Sequence, residues 1–155
     1  MKHLVILLLP LLMAANAFAG NAVNFNVVLS GENEVPPVVT DTTGTANLHV
    51  NQSLTEIDFK LDIKNATNVL GVAGAHLHCA PAGVNGPVVV FLAGAFSPGF
   101  DGKVQLRATL TDESILGPAC GANIAELVES MLDGNVYINV HSTEVPSGVI
   151  RGDIF

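Results

Sequence analysis

The chain has 155 residues, of which 49% are hydrophobic, and a formal net charge of -8. That length suits one ordinary domain with a core of useful size. An acidic chain with only six Lys and Arg argues against nucleic acid and against an anionic membrane as partner.

Lys2, the apolar run Leu4 to Met13 and the small-x-small triplet Ala17-Phe18-Ala19 together predict a signal peptide over residues 1–19, cleaved after Ala19. The run is shorter than the roughly 20 apolar residues that span a bilayer. No later segment reaches that length, so residues 20–155 are expected to form one soluble domain, secreted or periplasmic.

From Val23 onward the hydrophobic period is 2. Val23 to Ser30 turns Val23, Phe25, Val27 and Leu29 inward, and Thr45 to Asn51 does the same with Ala46, Leu48 and Val50. Thr55 to Ile63 is the clearest strand, with Ile57, Phe59, Leu61 and Ile63 alternating against charged residues. Further strands are expected at Val69 to Cys79, Val88 to Leu92, Asn135 to His141 and Gly148 to Phe155. Ile124, Leu127, Val128, Met131 and Leu132 recur at threes and fours instead, which predicts one short helix stopped at Gly134. Many short strands separated by Pro, Gly and Asn turns point to an all-β Greek-key sandwich or flattened barrel. Cys79 and Cys120, an even pair in an exported chain, are expected to form one disulfide.

Three blocks carry a resemblance: Leu29 to Pro37 (LSGENEVPP) followed by Thr43 to Ala46, then Ala75 to Val89 (AHLHCAPAGVNGPVV), then Tyr137 to Thr143 with Pro146 to Ile154 (PSGVIRGDI). In these the chain resembles the chordin-type (CHRD) domain family, found in chordin and in many bacterial secreted proteins. It departs at Asp153, where Gln is commoner, and at Val149, where Glu is. The resemblance implies an immunoglobulin-like or Greek-key β-sandwich and little about activity.

His76 and His78 stand two apart on a strand, so both side chains leave one face, with roughly 6–7 Å between their Cβ atoms. His141 ends a second strand on its polar side. Imidazoles brought together in this way suit copper or zinc. The pattern also resembles half of the copper site in Cu/Zn superoxide dismutases, themselves Greek-key sandwiches. The bridging histidine, the zinc loop and the guiding arginine of those enzymes have no counterpart here. His49, outward on its own strand, is a candidate fourth ligand. The competing reading makes the three histidines hydrogen-bonded struts, with Asn85, Asn139 and Asp153 as partners and Arg151 bonded to Glu144 or Asp153.

Other motifs read as structural. Glu32 and Glu34 fit a solvated turn, and Arg151-Gly152-Asp153 lies in a strand rather than in an adhesion loop. No independent acid/base pair appears, so an enzyme ranks third. Ahead of it stand a non-catalytic module contacting an extracellular protein or matrix, and a copper- or zinc-binding protein.

Overall fold

The computed structural model describes residues 22–155; the expected leader lies outside them. Eight strands form: β1 (Val23–Leu29), β2 (Thr43–Val50), β3 (Ile57–Val69), β4 (Ala75–Cys79), β5 (Val88–Ala93), β6 (Phe100–Leu110), β7 (Val136–Val140) and β8 (Ile150–Ile154). They build two antiparallel four-stranded sheets, ordered β1-β2-β3-β6 and β5-β4-β7-β8. The expected sandwich is what the alternation produces. Phe25, Leu48 and Leu61 from one sheet, and Leu77, Ile138 and Ile150 from the other, are all in one core.

The helix α1 (Ile124–Leu132) caps the core where expected, with Ile124, Leu127, Val128 and Met131 buried. Asn123 starts it by accepting the Glu126 backbone N–H at 3.0 Å. Gly134 follows its end at φ +70°. Among the described residues no helix is long and apolar enough to cross a membrane.

Two strand assignments differ from the sequence reading. β6 was not anticipated, although Val104, Leu106 and Ala108 pack on the core while Lys103, Gln105 and Arg107 face out. Second, the stretch Val69 to Cys79 is two elements. Val69 ends β3, Leu70 takes φ 63° and Gly74 φ 86°, and the chain crosses to the other sheet before β4 begins. A Cβ on Gly74 would lie 1.9 Å from the Ala93 carbonyl oxygen, so the crossing needs glycine.

The sheets also meet edge to edge. Ser30, just past β1, exchanges two backbone hydrogen bonds of 3.0 Å with Arg151 of β8. Gly152 permits this approach, since a Cβ there would meet Val27 Cγ1 at 2.5 Å and the Val28 oxygen at 2.7 Å. The seam fixes the loop that follows β1 beside the outer face of the β5-β4-β7-β8 sheet.

Candidate metal centre

Register explains why three histidines distant in sequence meet. β4 pairs with β7 so that His76 lies opposite Asn139 and His78 opposite Tyr137, and β7 pairs with β8 so that Asn139 lies opposite Arg151. Ala75 and Leu77 fill the core, so His76 and His78 must point outward. His141 follows β7 directly. One nitrogen from each of His76, His78 and His141 lies within 4.8 Å of the others.

Each ring is held by named partners. His78 Nδ1 lies 3.0 Å from the Gly86 carbonyl oxygen, and His141 Nδ1 lies 2.8 Å from that of Pro146. A carbonyl only accepts, so both Nδ1 atoms carry the proton and both lone pairs are on Nε2. His76 Nδ1 lies 3.0 Å from His141 Nε2, while His76 Nε2 and His78 Nε2 are buried with no hydrogen-bond partner. Burial holds all three imidazoles below the usual histidine range. His76 is pushed furthest, down to about 4, by its desolvation and then by the two neighbouring histidines. At neutral pH these rings are uncharged, the form that ligates metal.

A second layer fixes the first. The ring of His78 stacks on Tyr137 at 4.8 Å between centroids. The guanidinium of Arg151, fully buried, lies 3.5 Å over the other aromatic contact of that stack, the Tyr137 ring. Arg151 also pairs with Asp153 at 2.8 Å and donates to the carbonyls of Val84 at 2.9 Å and Pro81 at 3.3 Å. Tyr137 Oη accepts the Gly86 backbone N–H at 3.1 Å. The loop 80–87 is therefore clamped from below, and its Gly86 carbonyl is presented to His78. A Cβ on Gly86 would fall 1.9 Å from the Cys79 oxygen, so glycine is required there. The disulfide Cys79–Cys120 tethers the end of β4 beside this loop.

His49 does not join the cluster. It lies on the outer face of the opposite sheet, with Nδ1 2.7 Å from Asn24 Oδ1, because β2 belongs to the β1-β2-β3-β6 sheet. Of the supporting polar residues, Arg151 takes Asp153, one of its two expected carboxylates, and the rest pair differently from expectation. Asn85 Nδ2 donates to the Val35 carbonyl at 2.7 Å, Asp153 takes Arg151, and Glu144 takes Asn68 Nδ2 at 2.7 Å rather than Arg151. Asn139 is a neighbour of His76 by register, but its amide is spent on Glu34.

Glu34 is the residue the sequence reading misplaced. It is 5% exposed, not solvated, and both its carboxylate oxygens accept from Asn139 Nδ2 at 2.9 and 3.0 Å. Burial pushes its pKa up to about 7, although Arg151 and the Asn139 bond pull the other way. Nothing local in LSGENEVPP signals this burial; it follows from the β1–β8 seam, which lays the loop over the sheet. Gly148 completes the fit, since a Cβ there would lie 2.3 Å from Asn139 Nδ2 and 2.7 Å from Glu34 Oε1.

Among curated proteins and among solved structures none matches this chain. A family model, the CHRD domain, matches residues 25–154, a span that takes in Glu34, the three clustered histidines, Arg151 and the disulfide. The chain belongs to the CHRD domain family.

Proposed function

We propose that this protein is an exported, non-catalytic binding module that holds a copper or zinc ion through His76, His78 and His141. The observation that carries this reading is the pair of buried, partnerless Nε2 atoms of His76 and His78, beside the Nε2 lone pair that His141 keeps because its Nδ1 is bonded to the Pro146 carbonyl. Leaving polar atoms buried without a partner costs about 1–3 kcal/mol each. An ion removes that cost at several positions together. Carbonyl-anchored Nδ1–H groups are also the outer contacts that orient ligating histidines. Tetrahedral Zn–N bonds of 2.0–2.1 Å place ligand nitrogens about 3.3 Å apart. One nitrogen from each of the three rings already lies within 4.8 Å of the others. Small ring rotations suffice to close the difference.

Export is supported by the leader-like residues 1–19, by the disulfide and by the family. A partner in the extracellular space or matrix goes with that location.

A second reading rests on one contact, His76 Nδ1 to His141 Nε2 at 3.0 Å. With His76 donating, the histidines form a purely structural network. Calorimetric titration of chelator-stripped protein with Cu(II) and Zn(II), beside His76→Ala/His78→Ala, separates the two. Sub-micromolar binding that the double variant loses supports the metal centre. No binding by the wild type, with a large fall in melting temperature for the variant, leaves the network. A superoxide dismutase-like copper enzyme is the third reading, tested by superoxide consumption of the copper-loaded protein.

A further inference from the structure

The opposite sheet carries a feature unrelated to the histidines. Residues 22–155 contain five cations, and four of them, Lys60, Lys64, Lys103 and Arg107, stand on the outward positions of β3 and β6. The fifth, Arg151, is buried. Three of the fourteen acids, Asp58, Asp62 and Asp101, stand on β3 and β6 as well. The cations that look scattered in sequence are thus gathered on one face of an acidic protein.

Their pairing is unfavourable in isolation. Lys60 and Arg107 are register partners, and Lys64 and Lys103 are the next residues beyond the Ile63–Val104 pair. Like charges directly opposed across strands destabilise a sheet. The carboxylates of the face offset this only at Lys60. Asp62 takes Lys60 at 2.6 Å and also Gln105, and Asp58 accepts from Thr109 Oγ1 at 2.8 Å. Among the described residues Lys64, Lys103 and Arg107 have no carboxylate partner within ion-pair distance.

Beside them, the same face forms a groove of about 680 Å³. Asn24, Asn26, Asn47, His49, Asp58 and Thr109 line it, next to Lys60 and Arg107. Phe25 and Phe59 also line it, but both side chains are turned into the core at 5% and 3% exposure; the one exposed ring of the lining is His49, held by Asn24 Oδ1 at 2.7 Å. Single-stranded nucleic acid uses a series of stacking rings, and this groove offers the His49 imidazole alone. Nor does an apolar anchor stand out for a protein hot spot. What remains is amide and hydroxyl groups suited to sugar hydroxyls, with cations suited to carboxylates. The two cation pairs lie about 13 Å apart along the strands, a spacing for charge repeated along an extended polymer.

From these observations we infer that the outer face of the β1-β2-β3-β6 sheet binds an acidic polysaccharide, its carboxylates at Lys60, Lys64, Lys103 and Arg107 and its hydroxyls at the asparagines. This site is independent of the histidine cluster.

The test uses an alginate oligosaccharide as polyuronate probe, titrated in chelator so that metal-bridged contacts do not count. A dextran oligosaccharide and oligothymidylate serve as comparisons. The wild type is expected to bind the polyuronate at low salt and to lose affinity as salt rises. Lys60→Gln/Arg107→Gln is expected to weaken binding by at least about tenfold, with an unchanged or higher melting temperature because an opposed like-charge pair is removed. Lys64→Gln/Lys103→Gln should act in the same direction. The inference is overturned by an absence of polyuronate binding, by variants that bind as well as the wild type, or by dextran or oligothymidylate binding equally tightly. Self-association at low salt that the variants abolish would assign the face to a second copy, and would equally overturn it.

Discussion

Glu34 and Asn139, 105 residues apart, share one nitrogen: both carboxylate oxygens of Glu34 accept from Asn139 Nδ2. The contact pins the loop after β1 onto the strand next to His76, and it does so with a carboxyl whose burial favours the proton-bearing form.

The sign of that shift gives the first prediction. Glu34 ionises at about 7 in the fold against 4.5 ordinarily, so the folded protein retains a proton that the unfolded chain has released. Stability from this group falls as pH rises from 4.5 to 7, and the full cost applies above 7. Glu34→Gln removes the charge and keeps an oxygen for Asn139. At mildly alkaline pH the variant should be more stable than the wild type by up to about 3 kcal/mol, a gain of up to about 10 °C in melting temperature. At acid pH the gain should vanish. Thermal denaturation across pH decides it, and a gain that does not vary with pH would refute the assignment.

The histidines slope the other way. In metal-free protein His76 accepts its proton at about 4, whereas the unfolded chain does so at 6.5. The unfolded state therefore binds more protons as pH drops through that window, and stability is lost on acidification. Replacing His76 and His78 by alanine should flatten this acid limb. Because proton competition is weak above pH 6.5, metal affinity is expected to stay level from mild alkali to that point. A steady decline across the neutral range would contradict it.

Arg151 supports the third prediction. It joins Asp153, the carbonyls of Val84 and Pro81 and the Tyr137 ring, with no exposure. Arg151→Met leaves Asp153 and those carbonyls without their donor, and breaking a buried pair in this way costs about 3–5 kcal/mol. Arg151→Lys should recover little of it, since a point charge cannot fill a planar fork. Denaturant midpoints measure the loss. Wild-type stability in the lysine variant would remove Arg151 from its role as loop clamp.

Opening the disulfide is the fourth. Cys79 and Cys120 are 41 residues apart. A loop of that size corresponds to about 4 kcal/mol in the chain-entropy account. Cys79→Ala/Cys120→Ala should lower stability by that order. It should also raise amide exchange at the end of β4, next to His78, more than in β1 or β2. Uniform exchange changes would show that the bond acts on the unfolded chain alone.

Much of the fold was legible because strands with one buried face write period 2 directly into sequence, as Ile57 to Ile63 does. β6 carried the same alternation from Val104 to Leu110 but followed a run of Gly and Pro signals, Ser97-Pro98-Gly99 and Gly102, that read as loop. The histidine cluster was half legible. The outward parity of His76 and His78 is local, whereas their meeting with His141 depends on β4 pairing with β7, a long-range choice. Glu34 was not legible at all, since its burial is created by a seam between β1 and β8. His49 shows the converse. It has the same outward parity as the clustered histidines but lies on the other sheet.

The covering of the cluster has a kinetic meaning. His76 and His141 are 4% and 7% exposed, and Phe91 stands edge-on to His76 at 4.9 Å. The flanking loop 80–87 is tied down by Arg151 and Tyr137. Exchange of an ion held as proposed would wait on local opening of this covering, on slower timescales. An occupant would stay far longer than three unguarded imidazoles could keep it.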